Sequence, residues 1–332
     1  MEKVLVTGAT GFIGLHCIKQ LLEQGYAVNG TLRSMQREAE VKESLEKHNI
    51  SSENLTLYPV DLMSDEGWDE ATAGCDYLLH VASPFVLSNE TEDFFVRPAV
   101  DGALRALKFA NKHGIKKVVL TSSFAAVGDT FDGTVSFNET HWSDTTNNKM
   151  SFYAKSKTLA EKAAWDYVKE NDTSFQLTVI NPVGVLGPSL SNDVGISNSM
   201  VLRMLNGSMP ALAKIHIGIV DVRDVASAHI LAMKNTESNG ERFIVSEKEM
   251  WMHEIAAVLN DGGYKAPEKN MPNFLLKILA LFKADLVTIS KMAGKKRDCD
   301  STKAIDVLGW KPISAEDSIL AAAKQITEYD LI

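Results

Sequence analysis

Cysteine is scarce, long apolar runs are missing and basic charge is in deficit, and each shortage removes a class of function. The three cysteines among 332 residues, Cys17, Cys75 and Cys299, lie far apart. They match no zinc or redox spacing, and Cys17 and Cys75 are expected as small core-filling side chains. None of the eight histidines forms a metal-binding pair with another, so no metal is expected, and His80, inside an apolar run, reads as a satisfied core residue. A net charge of -9 argues against general affinity for nucleic acid or an anionic membrane. The most apolar stretch, Asn273-Phe-Leu-Leu-Lys-Ile-Leu-Ala-Leu-Phe-Lys283, is interrupted by lysines and too short to span a bilayer. It is expected as a helix docked over a cleft. Met1-Glu-Lys-Val-Leu-Val6 runs straight into a glycine loop and leaves no room for a signal peptide, so a cytoplasmic protein is expected. There is no internal repeat and no low-complexity tract.

What is present alternates. Val4–Val6, Tyr26–Leu32, Leu55–Val60, Tyr77–Ala82, Lys117–Thr121 and Phe175–Ile180 read as strands. Between them, 11–24, 37–48, 94–113 and 152–170 read as helices, two of which Gly25 and Gly114 stop. This spacing predicts an α/β fold, a doubly wound parallel sheet covered on both faces. After Asn181-Pro182 the alternation loosens, and Pro, Gly, Ser and Asn cluster to Gly207, as loops around a ligand would. Val220-Asp-Val-Arg-Asp-Val225 and Arg242-Phe-Ile-Val245 read as returns to the sheet. The expected division is a dinucleotide-binding domain over 1–180 and 218–258, with a smaller substrate lobe from 181–217 and 259–332.

Thr7-Gly-Ala-Thr-Gly-Phe-Ile-Gly14 places Gly8, Gly11 and Gly14 between the first strand and the first helix. The first glycine permits the tight turn, the second lets backbone approach a pyrophosphate, and the third allows close helix packing. Thr10, Phe12 and Ile13 complete this phosphate loop, and the helix N-terminus offers its N–H groups to phosphate oxygens. An NAD site usually carries an acid about twenty residues further on, to hold the ribose 2′-OH. Here Gly30-Thr-Leu-Arg-Ser34 has none. Arg33 stands where a 2′-phosphate needs a cation, with Arg37 as a second candidate, so NADP(H) is the expected cofactor. Asp61-Leu62 ends the third strand within reach of an adenine amino group, and Ala82-Ser83-Pro84 ends the fourth beside the ribose.

Tyr153 and Lys157 are four apart in Ser151-Phe-Tyr-Ala-Lys-Ser-Lys157 and share a helix face. An ammonium ~4 Å from a phenol contributes about 4 kcal/mol at an effective dielectric of 20. That is equivalent to lowering the phenol's pKa by roughly 3 before desolvation opposes it. Tyr153 would then act as an acid near neutral pH, protonating the alkoxide that forms as a carbonyl accepts hydride. Thr121-Ser-Ser123 ends the fifth strand, and Ser123 would hydrogen-bond the same oxygen. Ser122 is the less suited donor, because neighbouring strand residues point opposite ways. Phe85, Phe124, Phe152, Met200 and Met204 are placed to line an apolar substrate pocket.

The chain resembles the extended short-chain dehydrogenase/reductase superfamily, and within it the dihydroflavonol 4-reductase and cinnamoyl-CoA reductase group. The segments that carry this are Val6–Gly14, His80-Val-Ala-Ser-Pro-Phe85, Pro98-Ala-Val100, Ser156–Trp165, Asn181–Pro188, Val220–Ala226 and Leu308-Gly-Trp-Lys-Pro312. The resemblance implies a Rossmann fold, NADPH, a Ser123–Tyr153–Lys157 triad, Pro182 and Val183 beside the nicotinamide, and Ser197 toward the phosphates. Three departures stand out. Gly128 replaces an asparagine of dihydroflavonol reductases, which argues against a flavonoid. Met150–Lys157 lacks the cinnamoyl-CoA reductase signature, which argues against a CoA thioester. Ala99 replaces the asparagine of a proton relay. The implied activity is NADPH-dependent reduction of an aldehyde or ketone by a monomer or homodimer. A nucleotide-sugar epimerase or a non-catalytic NADP-sensing protein are the alternatives. No acid follows Ser123, which disfavours a dehydratase.

Overall fold

Seven strands form one parallel sheet, in the order Arg242–Val245, Gln176–Pro182, Lys117–Thr121, Tyr77–His80, Lys3–Thr7, Ala27–Leu32 and Leu55–Pro59. The structure, a computed structural model, describes residues 1–83, 91–131, 135–281, 286, 290 and 292–332. β1 (Lys3–Thr7), β2 (Ala27–Leu32) and β3 (Leu55–Pro59) run outward in one direction, and β4 (Tyr77–His80), β5 (Lys117–Thr121), β7 (Gln176–Pro182) and β10 (Arg242–Val245) in the other. Each neighbouring pair is parallel. The order reverses between β1 and β4, the place where an open sheet binds ligands. β6 (Val135–Phe137) pairs instead with β12 (Arg297–Cys299), outside this sheet.

Both faces of the sheet are apolar, as a parallel sheet between helices requires. In β1, Val4 and Val6 face one core and Leu5 the other. The first core is completed by α1 (Phe12–Glu23), α2 (Glu38–Lys47) and α8 (Val222–Lys234), through Ile18, Leu21, Leu45 and Val225. The second is completed by α3 (Trp68–Thr72), α4 (Glu92–Lys112) and α6 (Phe152–Glu170). There Ala99, Ala103, Ala106, Ala160 and Ala164 let α4 and α6 lie close to the strands. Cys17 and Cys75 are buried fillers, as expected, and burial pushes both thiols up to about 12.

Val220–Val225 does not return to the main sheet. β9 (His216–Asp221) joins β8 (Gly184–Leu186) and β11 (Lys248–Trp251) in a separate three-stranded sheet, and the chain turns helical at Val222. Asp221 causes the switch. Its carboxylate accepts from the Arg223 N–H at 2.8 Å and caps α8. Val222, Val225 and Ala226 then follow a helical period into the first core, which the short Val-x-Val alternation conceals. Arg242–Val245 does return, as the edge strand beside β7.

The small sheet packs with α7 (Asn198–Leu205), α9 (Met252–Asp261) and the helix Ala315–Glu328 around a third core that includes Leu186, Val201, Met250 and Ile319. α10 (Asn273–Leu279) is the helix expected from the apolar stretch, but it is docked by one side only. Leu276 is buried, while Phe274 is 67% exposed and Ile278 also faces outward; Lys283 lies outside the described residues. No helix among the described residues is long and apolar enough to cross a membrane.

Candidate active site

At the sheet's point of reversal, Gly8 adopts φ +79°, a conformation that favours glycine. A Cβ on Gly14 would lie 2.2 Å from the Gly8 carbonyl oxygen, so α1 begins directly against the loop. Gly11 caps α1 without a side-chain bond, leaving the first-turn N–H groups open to a ligand. Thr7 Oγ1 accepts from the Val81 and Ala82 N–H groups, both at 3.0 Å, and hydrogen-bonds His80 Nδ1. This stitches the end of β4 to β1 and sets Ala82 against Gly8. Ser83 follows at the same edge. Pro84 and Phe85 lie outside the described residues. Loop 187–197 comes back over the site: a Cβ on Gly195 would sit 2.8 Å from the Phe12 ring, and Ser197 follows two residues on.

Arg33 is exposed at the end of β2 and has no hydrogen bond or ion pair among the described residues, so its guanidinium is available to an anion. Arg37 is already engaged. It pairs with Glu40 at 2.7 Å and donates to Thr10 Oγ1 at 3.0 Å, bracing the rim of the glycine loop. Asp61 Oδ1 accepts from the Met63 N–H at 2.7 Å and so initiates a turn. Leu62 packs over Gly102 of α4. A cradle in which Gly8 takes a positive φ and Gly14 leaves no room for a Cβ, beside a guanidinium unpaired among the described residues, fits a dinucleotide carrying a 2′-phosphate.

Ser151 caps α6 by accepting from the Ala154 N–H at 3.1 Å, which places Tyr153 and Lys157 on the first turns. The half-buried Tyr153 shares a hydrogen bond between its phenol and the Ser123 hydroxyl. Phe124 N–H donates to Pro182 O at 2.9 Å, which holds Ser123 beside the end of β7, where Val183 follows. Ser122 points the other way and donates to Glu161 Oε2 at 2.5 Å, so Ser123 is the serine of the cluster. Lys157 is buried and donates to the Thr121 carbonyl at 3.3 Å. The side chain of Thr121 meets His229 Nε2 at 2.6 Å.

The electrostatic balance at Tyr153 is the reverse of the expectation. Burial pushes its phenol up, opposed by the Ser123 hydrogen bond. Lys157 is itself lowered to about 8 by burial, with Glu161 opposing. Desolvation raises the phenol and lowers the ammonium because the strand ends and α6 close around them. His80 is held at about 3, by burial first and Lys157 second, and stays neutral. Among the described residues no group of His, Cys, Asp and Glu could hold a metal.

The proposed pocket residues divide. Met200 is half-buried against the third core, and Phe152 is 44% exposed at the start of α6. Met204 is 1% exposed inside that core and is no pocket lining; α7 buries that side against the small sheet and its helices. Phe124 packs edge-to-face on Phe137, with ring centroids 5.2 Å apart. A Cβ on Gly128 would lie 2.6 Å from the Phe124 ring, so this ring occupies the space an asparagine there would need.

Sequence reasoning missed the polar hub behind the site, made of Glu161, Asn181 and Arg242. Glu161 could have been found as the next position on the Tyr153–Lys157 face. Arg242, 81 residues further along, carries no local signal.

The model of the NAD dependent epimerase/dehydratase family matches residues 4–246. The chain is 33% identical to a putative NADPH-dependent methylglyoxal reductase of Candida albicans, over 97% of this chain and 98% of that protein. It is 36% identical to a bifunctional dihydroflavonol 4-reductase/flavanone 4-reductase of Pyrus communis, over 82% and 78% respectively. Its fold is similar to the crystal structure of the yeast methylglyoxal/isovaleraldehyde reductase complexed with NADPH, with a TM-score of 0.82, 28% identity and 99% of each chain covered.

Proposed function

The chain belongs to the NAD dependent epimerase/dehydratase family and is an NADPH-dependent reductase of the extended short-chain type; from that premise we propose that it reduces a small, largely apolar aldehyde or ketone. NADPH, when bound, supplies the hydride. Gly8, Gly11, Gly14 and the start of α1 hold its pyrophosphate, and Arg33 its 2′-phosphate. Ala82 and Ser83 would hold the ribose side, and Pro182 and Val183 the nicotinamide side. Ser123 orients the carbonyl oxygen through its hydroxyl, and Tyr153 passes its phenolic proton to that oxygen as negative charge develops. A phenol kept protonated by burial suits an acid in the reductive direction, and the Lys157 ammonium stabilises the phenolate left behind.

The hydrogen bond between Tyr153 and Ser123, one turn from Lys157 at the carboxyl end of the sheet, is the observation that carries the chemistry. The Phe124 ring over Gly128 supports a small apolar substrate over a polyhydroxylated flavonoid, because it removes the position from which an amide would bind a hydroxyl. The test is NADPH consumption with methylglyoxal, isovaleraldehyde and a dihydroflavonol. Turnover of the two aldehydes well above that of the flavonoid is expected. No consumption with any carbonyl would reject the proposal, and sugar isomerisation without net NADPH oxidation would replace it with an epimerase.

A further inference from the structure

We propose that Glu161 is a positioning residue for the acid–base unit, one whose buried carboxylate joins the Ser123 strand to α6 and keeps Lys157 cationic; this rests on the reductase reading above. Glu161 lies one turn beyond Lys157 and is 0% exposed. Its carboxylate accepts from Ser122 Oγ at 2.5 Å and Asn181 Nδ2 at 2.8 Å, pairs with Arg242 Nε at 2.7 Å, and accepts a longer bond from Trp165 Nε1. Asn181 also donates to the Ser123 carbonyl at 3.2 Å. Arg242 donates to the Glu139 and His141 carbonyls and lies 3.7 Å from the centre of the Trp142 ring. One carboxylate therefore fastens the ends of β5, β7 and β10 to the helix that bears Tyr153 and Lys157.

Mechanical fastening alone does not call for charge, since apolar side chains of similar volume often replace a buried ion pair without loss of stability. The use of the charge lies next to it. Lys157 and Glu161 line the same small cavity between the sheet and helices α4 and α6, with His80, Ser83 and Ser122. The groups around Lys157 in that cavity are Glu161 from α6, neutral His80 from β4, the Thr121 carbonyl from β5, and Ala99 and Ala103 from α4. Glu161 is the carboxylate of that set. It opposes the desolvation that would otherwise strip Lys157 of its proton.

The experiment compares kcat against pH for methylglyoxal reduction by the wild type and Glu161→Gln, which keeps the shape and loses the charge. Activity needs cationic Lys157, so it falls as pH rises through the pKa of the coupled Tyr–Lys unit. In Glu161→Gln that alkaline limb is expected about one pH unit lower. The kcat at pH 9 would then fall about tenfold, with kcat at pH 6 and NADPH affinity near wild type. A loss equal at every pH, or an unmoved profile, would reduce Glu161 to a structural role and overturn the proposal. Glu161→Gln leaves Arg242 without its anion. Should it fail to fold, the pair Glu161→Gln with Arg242→Gln removes both charges and is expected to move the limb the same way by less; an unmoved limb there overturns the proposal equally. Titration of the Lys157 Nζ by 15N NMR reads the same shift without turnover. An enzyme inactive toward every carbonyl thus rejects the reductase reading, while Lys157 still decides the role of Glu161.

Discussion

The glycine loop and the Ser123–Tyr153 cluster lie at the same edge of one sheet, yet they are built from different materials. The loop is made of backbone. Gly8, Gly11 and Gly14 act by what they lack, and the ligand-facing groups are the N–H groups of one short stretch of chain. The cluster is made of buried and half-buried side chains on α6 and at the ends of β5, β7 and β10. A phosphate site tolerates water and needs only close approach and positive potential. A proton donor needs its protonation state controlled, which takes enclosure and charged neighbours. Hence Arg33 can stay exposed and unpaired while Lys157 and Glu161 cannot.

The two regions should therefore break differently. Tyr153→Phe is expected to lower kcat by roughly 10²–10⁴-fold with NADPH affinity retained, read by single-turnover kinetics and cofactor titration. Weakened cofactor binding with chemistry intact would erase the distinction between the regions. Gly14→Ala should do the opposite damage. Its Cβ would sit 2.2 Å from backbone, so NADPH binding is lost and stability falls by about 1–3 kcal/mol or more, visible in a thermal melt. Arg33→Ala removes one charge-assisted bond of about 1.5–3 kcal/mol, roughly a 10–100-fold loss of NADPH over NADH selectivity with kcat nearly unchanged. If selectivity holds, Arg37 would have to be released from Glu40 to serve the phosphate. Smallest in catalytic effect, Met204→Ala should cost about 2–5 kcal/mol of stability and leave the KM for aldehydes alone. Met200→Ala should do the reverse. Denaturant titration beside a KM series separates them.

The same division governs what could be read in advance. The glycine loop, the parallel sheet and the Tyr153–Lys157 spacing are local patterns, each within a few residues or one turn of helix. The assignment of Val220–Val225 to a strand failed because a single Val-x-Val alternation does not distinguish a strand from the start of a helix, and Asp221 as a cap decided it. Met204 was assigned to the pocket because its stretch read as loops around a ligand; the helix Asn198–Leu205 instead turns it into the third core. The lowered phenol pKa expected from Lys157 came from spacing alone, and spacing contains no burial.

What the amino-acid order determined unaided was the glycine turn, the Tyr153–Lys157 spacing and the alternation that builds the sheet, because these depend on residue type and short separations. Which serine faces the tyrosine, how burial sets the phenol and the lysine, and the placing of Arg242 against Glu161 were left to tertiary structure. Each of those depends on bringing distant strand ends together in a space that excludes water, and proximity of that kind has no period along the chain.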